Sequence, residues 1–116
     1  MARVLVVEDC PDTAETLTIL LRHWGYATCE AHSGTEAMEA ADIFQPDVAI
    51  LDIGLPEMDG LAVATEMRRR RGGKLLLVAL TGFATEDYRQ RCYRAGFDHF
   101  LVKPVTPDTL KVLLAG

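Results

Sequence analysis

The sequence predicts an α/β fold in which a parallel five-stranded sheet is covered by helices on both faces. Two observations lead there. Short, unbroken apolar runs alternate five times with longer amphipathic stretches, and a strand buried on both faces reads as a continuous apolar run rather than an alternating one. Each run is also followed by a stretch with helix-start chemistry, so successive strands are joined by crossovers and lie parallel.

Val4-Leu5-Val6-Val7 is the first such run. Pro11 then opens a helix whose apolar positions, Ala14, Leu17, Leu20, Leu21 and Trp24, share one face, and Gly25 ends it. Ala27 to Ala31 is the second strand. Ser33-Gly34-Thr35-Glu36 has capping-box spacing and starts a helix running to Phe44, which Pro46 prevents from continuing. Val48-Ala49-Ile50-Leu51 is the third strand. Asp59 or Gly60 starts a third helix that reaches the arginines and ends at Gly72-Gly73. Leu75 to Leu80 forms the fourth strand, and Thr85-Glu86-Asp87 caps a helix that stops at Gly96. Phe100-Leu101-Val102 is the fifth strand, with a short last helix from Thr106-Pro107-Asp108. Right-handed crossovers leave few arrangements of five such units, and the expected one is the flavodoxin-like doubly wound sheet, order 2-1-3-4-5.

The length of 116 residues fits one domain spanning 1–116, and 49% apolar with 25% charged residues is ordinary for a soluble globular chain. A formal charge of −5 argues against direct nucleic-acid binding, which needs a basic face. The basic run Arg68-Arg69-Arg70-Arg71 reads as a solvated helix end complementing the dipole, with docking of an acidic partner as the alternative. Cys10, Cys29 and Cys92 are odd in number and scattered, as in a reduced, cytoplasmic protein. Cys10 is expected to be a packing residue. His23, His32 and His99 lack metal-ligand spacing and read as surface or partner-facing. No apolar run is long enough for membrane insertion.

In a doubly wound sheet, ligands bind outside the carboxyl ends of the strands. There the sequence places Glu8-Asp9 after the first strand, Asp52 after the third, Thr81 after the fourth and Lys103-Pro104 after the fifth. Any one of them has an ordinary reading: a helix cap, a strand-end hydroxyl, a solvated lysine. Their shared position at one edge is harder to obtain from packing. Three close carboxylates repel and require a cation. Oxygen ligands favour Mg²⁺, with Mn²⁺ as its substitute. A lysine and a hydroxyl beside a carboxylate nucleophile suit phosphoryl transfer to that carboxylate.

Taken together, Glu8-Asp9, Asp52, Thr81-Gly82 and Lys103-Pro104 resemble the active-site set of the response-regulator receiver domains of two-component systems. The likeness extends along essentially the whole chain. Leu51 to Gly60 resembles the loop after the acceptor aspartate, and Ala95-Gly96-Phe97-Asp98 resembles the turn before the fifth strand. The resemblance implies that Asp52 is the phosphoacceptor, supplied by a phosphohistidine of a histidine kinase or histidine phosphotransfer domain. It implies Mg²⁺ bound by Asp9, Asp52 and the Gly54 backbone carbonyl, with Glu8 acting through a bound water. Lys103 and Thr81 would contact the phosphoryl oxygens. Thr81 and Phe100 would switch a surface of the fourth helix, fifth strand and fifth helix for an unknown effector. Such a domain is not an enzyme with an external turnover; it catalyses only its own phosphorylation and dephosphorylation.

Two positions depart from the commoner pattern. Gly54 is often a larger side chain in the family, so phosphoryl lifetime is expected to respond to Gly54→Met or Gly54→Asn. Phe100 stands where a tyrosine or histidine is frequent; it lacks their polar atom, and Phe100 also reads as ordinary core. Three other functions compete. A haloacid-dehalogenase-like phosphatase would carry a second aspartate where this chain has Gly54. A flavin-binding module would need a phosphate-cradling loop after the first strand instead of two acids. A receiver-like interaction module that is never phosphorylated would have no need of the intact Glu8, Asp9, Asp52, Thr81 and Lys103 set. Leu80 to Phe83 and Ala95 to Pro104 are similar to receivers attached to hybrid histidine kinases, so the chain is either a stand-alone regulator or a receiver cut from a larger protein.

Overall fold

A computed structural model describes residues 2–53, 59–82 and 85–115. In chain order the elements are β1 (Arg3–Val7), α1 (Pro11–His23), β2 (Ala27–Ala31), α2 (Gly34–Phe44), β3 (Val48–Asp52), α3 (Gly60–Arg71), a 3-10 turn (Gly72–Lys74), β4 (Leu76–Thr81), α4 (Glu86–Ala95), β5 (His99–Val102) and α5 (Pro107–Ala115). The strands are parallel in the order β2-β1-β3-β4-β5. This is the expected doubly wound topology. Boundaries differ from the expected ones by a residue or so, because pairing carries β3 through Asp52 and β4 through Thr81, past the last apolar side chain.

The alternation of side chains along each strand explains why the runs are apolar throughout. Leu5, Val7, Ala49, Leu51, Leu77 and Ala79 pack beneath α2, α3 and α4 through Ala37, Ala41, Ala64, Met67 and Cys92. Val4, Val6, Val48, Ile50, Val78 and Leu80 face the opposite way, toward Ala14 and Leu21 of α1 and Leu110 of α5. In the central strands β1, β3 and β4 both faces are covered, so both residue parities are apolar. The edge strands β2 and β5 are only partly buried and carry Thr28, Glu30 and His99.

Helix starts follow their cap chemistry. Ser33 Oγ accepts from the Glu36 amide at 3.1 Å, Asp59 Oδ1 from Ala62 at 3.1 Å, and Thr85 Oγ1 from Tyr88 at 3.3 Å. Gly96 ends α4 with φ +113°, which L side chains rarely adopt. Gly60 is required for space: a Cβ there would lie 2.6 Å from the Ile53 side chain, immediately after Asp52.

The arginine run is not simply solvated. Arg68 ties α3 to the β4 and β5 approaches, donating to Asp98 Oδ2 at 2.6 Å, Gly96 O at 2.8 Å, and both Gly72 O and Leu75 O at 2.6 Å. Arg70 pairs with Asp42 at 2.8 Å and Glu66 at 3.0 Å, and Arg71 donates to Pro46 O at 3.1 Å. The guanidinium fork reaches several carbonyls at once, which a sequence-level count of charges does not reveal. His32 is also internally engaged, 3.2 Å from Glu30 Oε1, while Glu30 Oε2 accepts from the buried Thr18 hydroxyl at 3.1 Å.

Candidate functional site

Parallel pairing sets the candidate site. Val7 is in register with Leu51, so the next residues, Glu8 and Asp52, are neighbours at the carboxyl edge. The Glu8 amide donates to Ala31 O at 2.9 Å, and the Ile53 amide to Leu80 O at 3.0 Å, which holds the backbone on either side of the pair. The Lys103 amide donates to Thr81 O at 2.8 Å, continuing the β4–β5 ladder by one residue. Glu8, Asp52 and Thr81 are all buried polar residues, at 4%, 6% and 0% exposure.

Lys103 joins the two acids. Its ammonium donates to Asp52 Oδ2 and lies 3.5 Å from Glu8 Oε1. Burial lowers the lysine's basicity, but the Asp52 and Glu8 carboxylates outweigh it, and the net pKa is raised. Glu8 responds the other way. Burial, followed by the hydrogen bond and the charge shared with Asp52, pushes its carboxyl up to about 7, with Lys103 opposing. Among the described residues, Glu8 Oε2 is buried without a hydrogen-bond partner. Two adjacent carboxylates with one cation leave an excess negative charge, which a proton on Glu8 relieves near neutral pH.

The expected convergence is therefore partial. Glu8, Asp52 and Lys103 meet, with Thr81 on the neighbouring strand end. Asp9 is exposed, at the start of the loop into α1, although its charge still raises the Glu8 carboxyl slightly. Among the described residues, no group of three or more His, Cys, Asp and Glu side chains could hold a metal ion. Gly54, expected to lend its carbonyl, lies outside the described residues. The residues present nonetheless fit a hard cation: two oxygen-only side chains sit together, and one buried oxygen has no donor among the described residues.

Around this cluster the structure corrects and adds to the sequence reading. Cys10, expected to pack, is exposed at the N-cap of α1, with its thiol drawn below the ordinary value by a hydrogen bond from the Thr13 side chain. Cys29 is half-buried and Cys92 buried, and all three cysteines are free, as expected. Phe100 is half-buried against the core beneath α4 and meets the Tyr88 ring edge-on, with centroids 6.5 Å apart and planes at 71°. Sequence reasoning missed Tyr88; only its aromatic character at a core-facing helical position hinted at it. A groove beside Lys103 is lined by Thr13, Thr16 and Leu17 of α1 and by Leu80, Pro104 and Val105.

Fold and edge together define a doubly wound α/β domain with a buried acid–lysine cluster at the carboxyl ends of its strands. The chain belongs to the response regulator receiver domain family, whose model matches residues 4–115. It is 38% identical over 109 residues to the transcriptional regulatory protein PdtaR of Mycobacterium tuberculosis, covering 93% of this chain and 52% of that protein. It is 36% identical over 112 residues to the sensor histidine kinase RcsC of Salmonella typhimurium, covering 97% of this chain and 12% of the kinase. The chain thus spans about half of one relative and a small part of the other. Among solved structures, the Vibrio cholerae chemotaxis protein CheY4 matches with a TM-score of 0.93 at 29% identity, covering 99% of this chain and 97% of that one. Receiver domains are signalling domains of two-component systems, in which they pair with histidine kinases. No described helix is long and apolar enough to cross a membrane.

Proposed function

We propose that Asp52 is the phosphoacceptor of this receiver. The observation that carries the reading is the contact of one lysine, Lys103, with two buried carboxylates, Asp52 and Glu8, at the edge where Thr81 also ends its strand. A buried carboxylate pair is expensive to keep in a fold, and the cluster has no packing purpose that apolar residues would not serve better. An Asp52 carboxylate oxygen attacks the phosphorus of a phosphohistidine, forming a P–O bond as the P–N bond breaks. The imidazole leaves with the electron pair and takes up a proton. Lys103, already in contact with Asp52, neutralises charge on the phosphoryl oxygens on transfer. Thr81 supplies a hydroxyl to the same oxygens.

Mg²⁺, or Mn²⁺ in its place, would be held by Asp52 and Asp9, by the Gly54 carbonyl, and by Glu8 through water, and would supply charge neutralisation for the transferring group. The donor is a histidine kinase or a histidine phosphotransfer domain. Hydrolysis of the acyl phosphate returns the domain to its resting state, so the only chemistry is its own phosphorylation and dephosphorylation. Thr81 and Phe100 pass the change to the surface of α4, β5 and α5 for an effector that carries the output.

Intact-mass spectrometry after incubation with Mg²⁺ and acetyl phosphate tests this. One phosphoryl adduct is expected, dependent on Mg²⁺ and absent from Asp52→Asn. No adduct at any time point from seconds to hours would replace the reading with a receiver-like interaction module that is not phosphorylated.

A further inference from the structure

Alternation along β4 places Thr81 on the same sheet face as Leu77 and Ala79, the face covered by α4. Phe100 packs against that face from β5, in register with Ala79, which makes Thr81 and Phe100 near neighbours beneath α4. The element that closes over them presents Tyr88. Its ring meets Phe100 edge-on at 6.5 Å, and it also packs against the core. The Arg91 guanidinium stacks over it at 5.7 Å, and its amide is held by the Thr85 cap at 3.3 Å. Both its main chain and its ring are thus held at the first turn of α4. The hydroxyl is pushed above its ordinary pKa chiefly by burial.

We propose that Tyr88 is a positioning residue of the switch: its edge-to-face contact with Phe100 latches β5 to α4 in the resting domain, and phosphorylation of Asp52 must break or reshape that contact. This deepens the function proposed above and rests on it. Phe100 has no polar atom with which to choose between orientations, so its orientation is set by packing, against the core and against an aromatic ring. Tyr88 supplies that ring. An aromatic pair of this geometry biases a two-state equilibrium by about 2- to 13-fold. By linkage, any ligand of Asp52 that favours the unlatched state binds more tightly, by up to that factor, once the latch is removed.

The test is calorimetric titration of the unphosphorylated chain with beryllium fluoride and Mg²⁺, a phosphoryl mimic that complexes the acceptor carboxylate. Tyr88→Leu is expected to bind it about 2- to 13-fold more tightly than wild type. Tyr88→Phe, which keeps the ring, is expected to match wild type. In a Phe100→Leu background Tyr88→Leu should change nothing further, because the partner ring is already gone. Circular dichroism verifies folding, and Tyr88→Met replaces Tyr88→Leu if the latter fails to fold. Unchanged affinity in the folded variant, or an effect that simply adds to that of Phe100→Leu, overturns the latch while leaving Asp52 as the acceptor. Wild type that binds no beryllium fluoride in an Asp52-dependent way overturns the phosphoacceptor reading itself, and the latch with it.

Discussion

Replacing Glu8 by glutamine should stabilise the protein, and only above mildly acidic pH. In the folded chain the Glu8 carboxyl titrates at about 7 against an ordinary value of 4.5. A raised folded pKa means that the native state holds its proton more tightly than the unfolded chain does. The stability this confers is complete below about pH 4.5, declines as pH rises, and is gone above about 7. Each unit corresponds to about 1.4 kcal/mol, so wild type should lose on the order of 3 kcal/mol between pH 4 and pH 8 from this group alone. Glutamine imitates the protonated acid at all pH values and donates to Asp52 as that acid would. Urea unfolding followed by circular dichroism, in metal-free buffer at pH 5 and pH 8, measures the difference. Glu8→Gln should exceed wild type by about 2–3 kcal/mol at pH 8 and by much less at pH 5. Added Mg²⁺ should narrow the gap at pH 8 by stabilising wild type more than the variant. Equal stabilities at pH 8, or a gap independent of pH, would refute the claim that Glu8 is held protonated by burial and by Asp52.

Two more outcomes follow from the same geometry. Lys103→Met removes a cation that touches both acids. It should destabilise the chain by about 1–3 kcal/mol at pH 8, less at pH 5 where protons replace the lost charge, and slow adduct formation from acetyl phosphate by tenfold or more, as read by urea unfolding and intact mass. Arg68→Ala strips four carbonyl or carboxylate acceptors of their shared donor. A loss of about 2–3 kcal/mol with the Asp52 adduct still formed is expected, and loss of the adduct in a folded variant would show that this clamp reaches the site.

The fold was legible in the sequence because its signals are local and redundant. A strand covered on both sides must be apolar at every residue, as Val4–Val7 and Val48–Leu51 are, and Ser33, Asp59 and Thr85 announce the helices they cap. Topology followed because right-handed crossovers permit few alternatives. The candidate site was legible as a set, Glu8, Asp52, Thr81 and Lys103, since each polar residue comes directly after an apolar run and the fold aligns those ends. Its internal order was not. Whether Asp9 joins Glu8 or faces solvent depends on how the chain leaves β1 for α1, and adjacent acids look the same in a sequence.

What the sequence by itself determined is everything set by period and by chain neighbours: the five units, the doubly wound sheet, and the residue types at its carboxyl edge. Only the tertiary structure decided which groups touch. It placed Lys103 between two carboxylates 51 and 95 residues away. Through burial it raised Glu8 toward neutrality, turned Arg68 from a surface charge into a clamp, and set Tyr88 against Phe100. The physical reason is range. Propensity and patterning act over a few residues, whereas pKa values and ring contacts depend on distances of a few ångströms between segments far apart in the chain, which exist only once the sheet has brought its strand ends together.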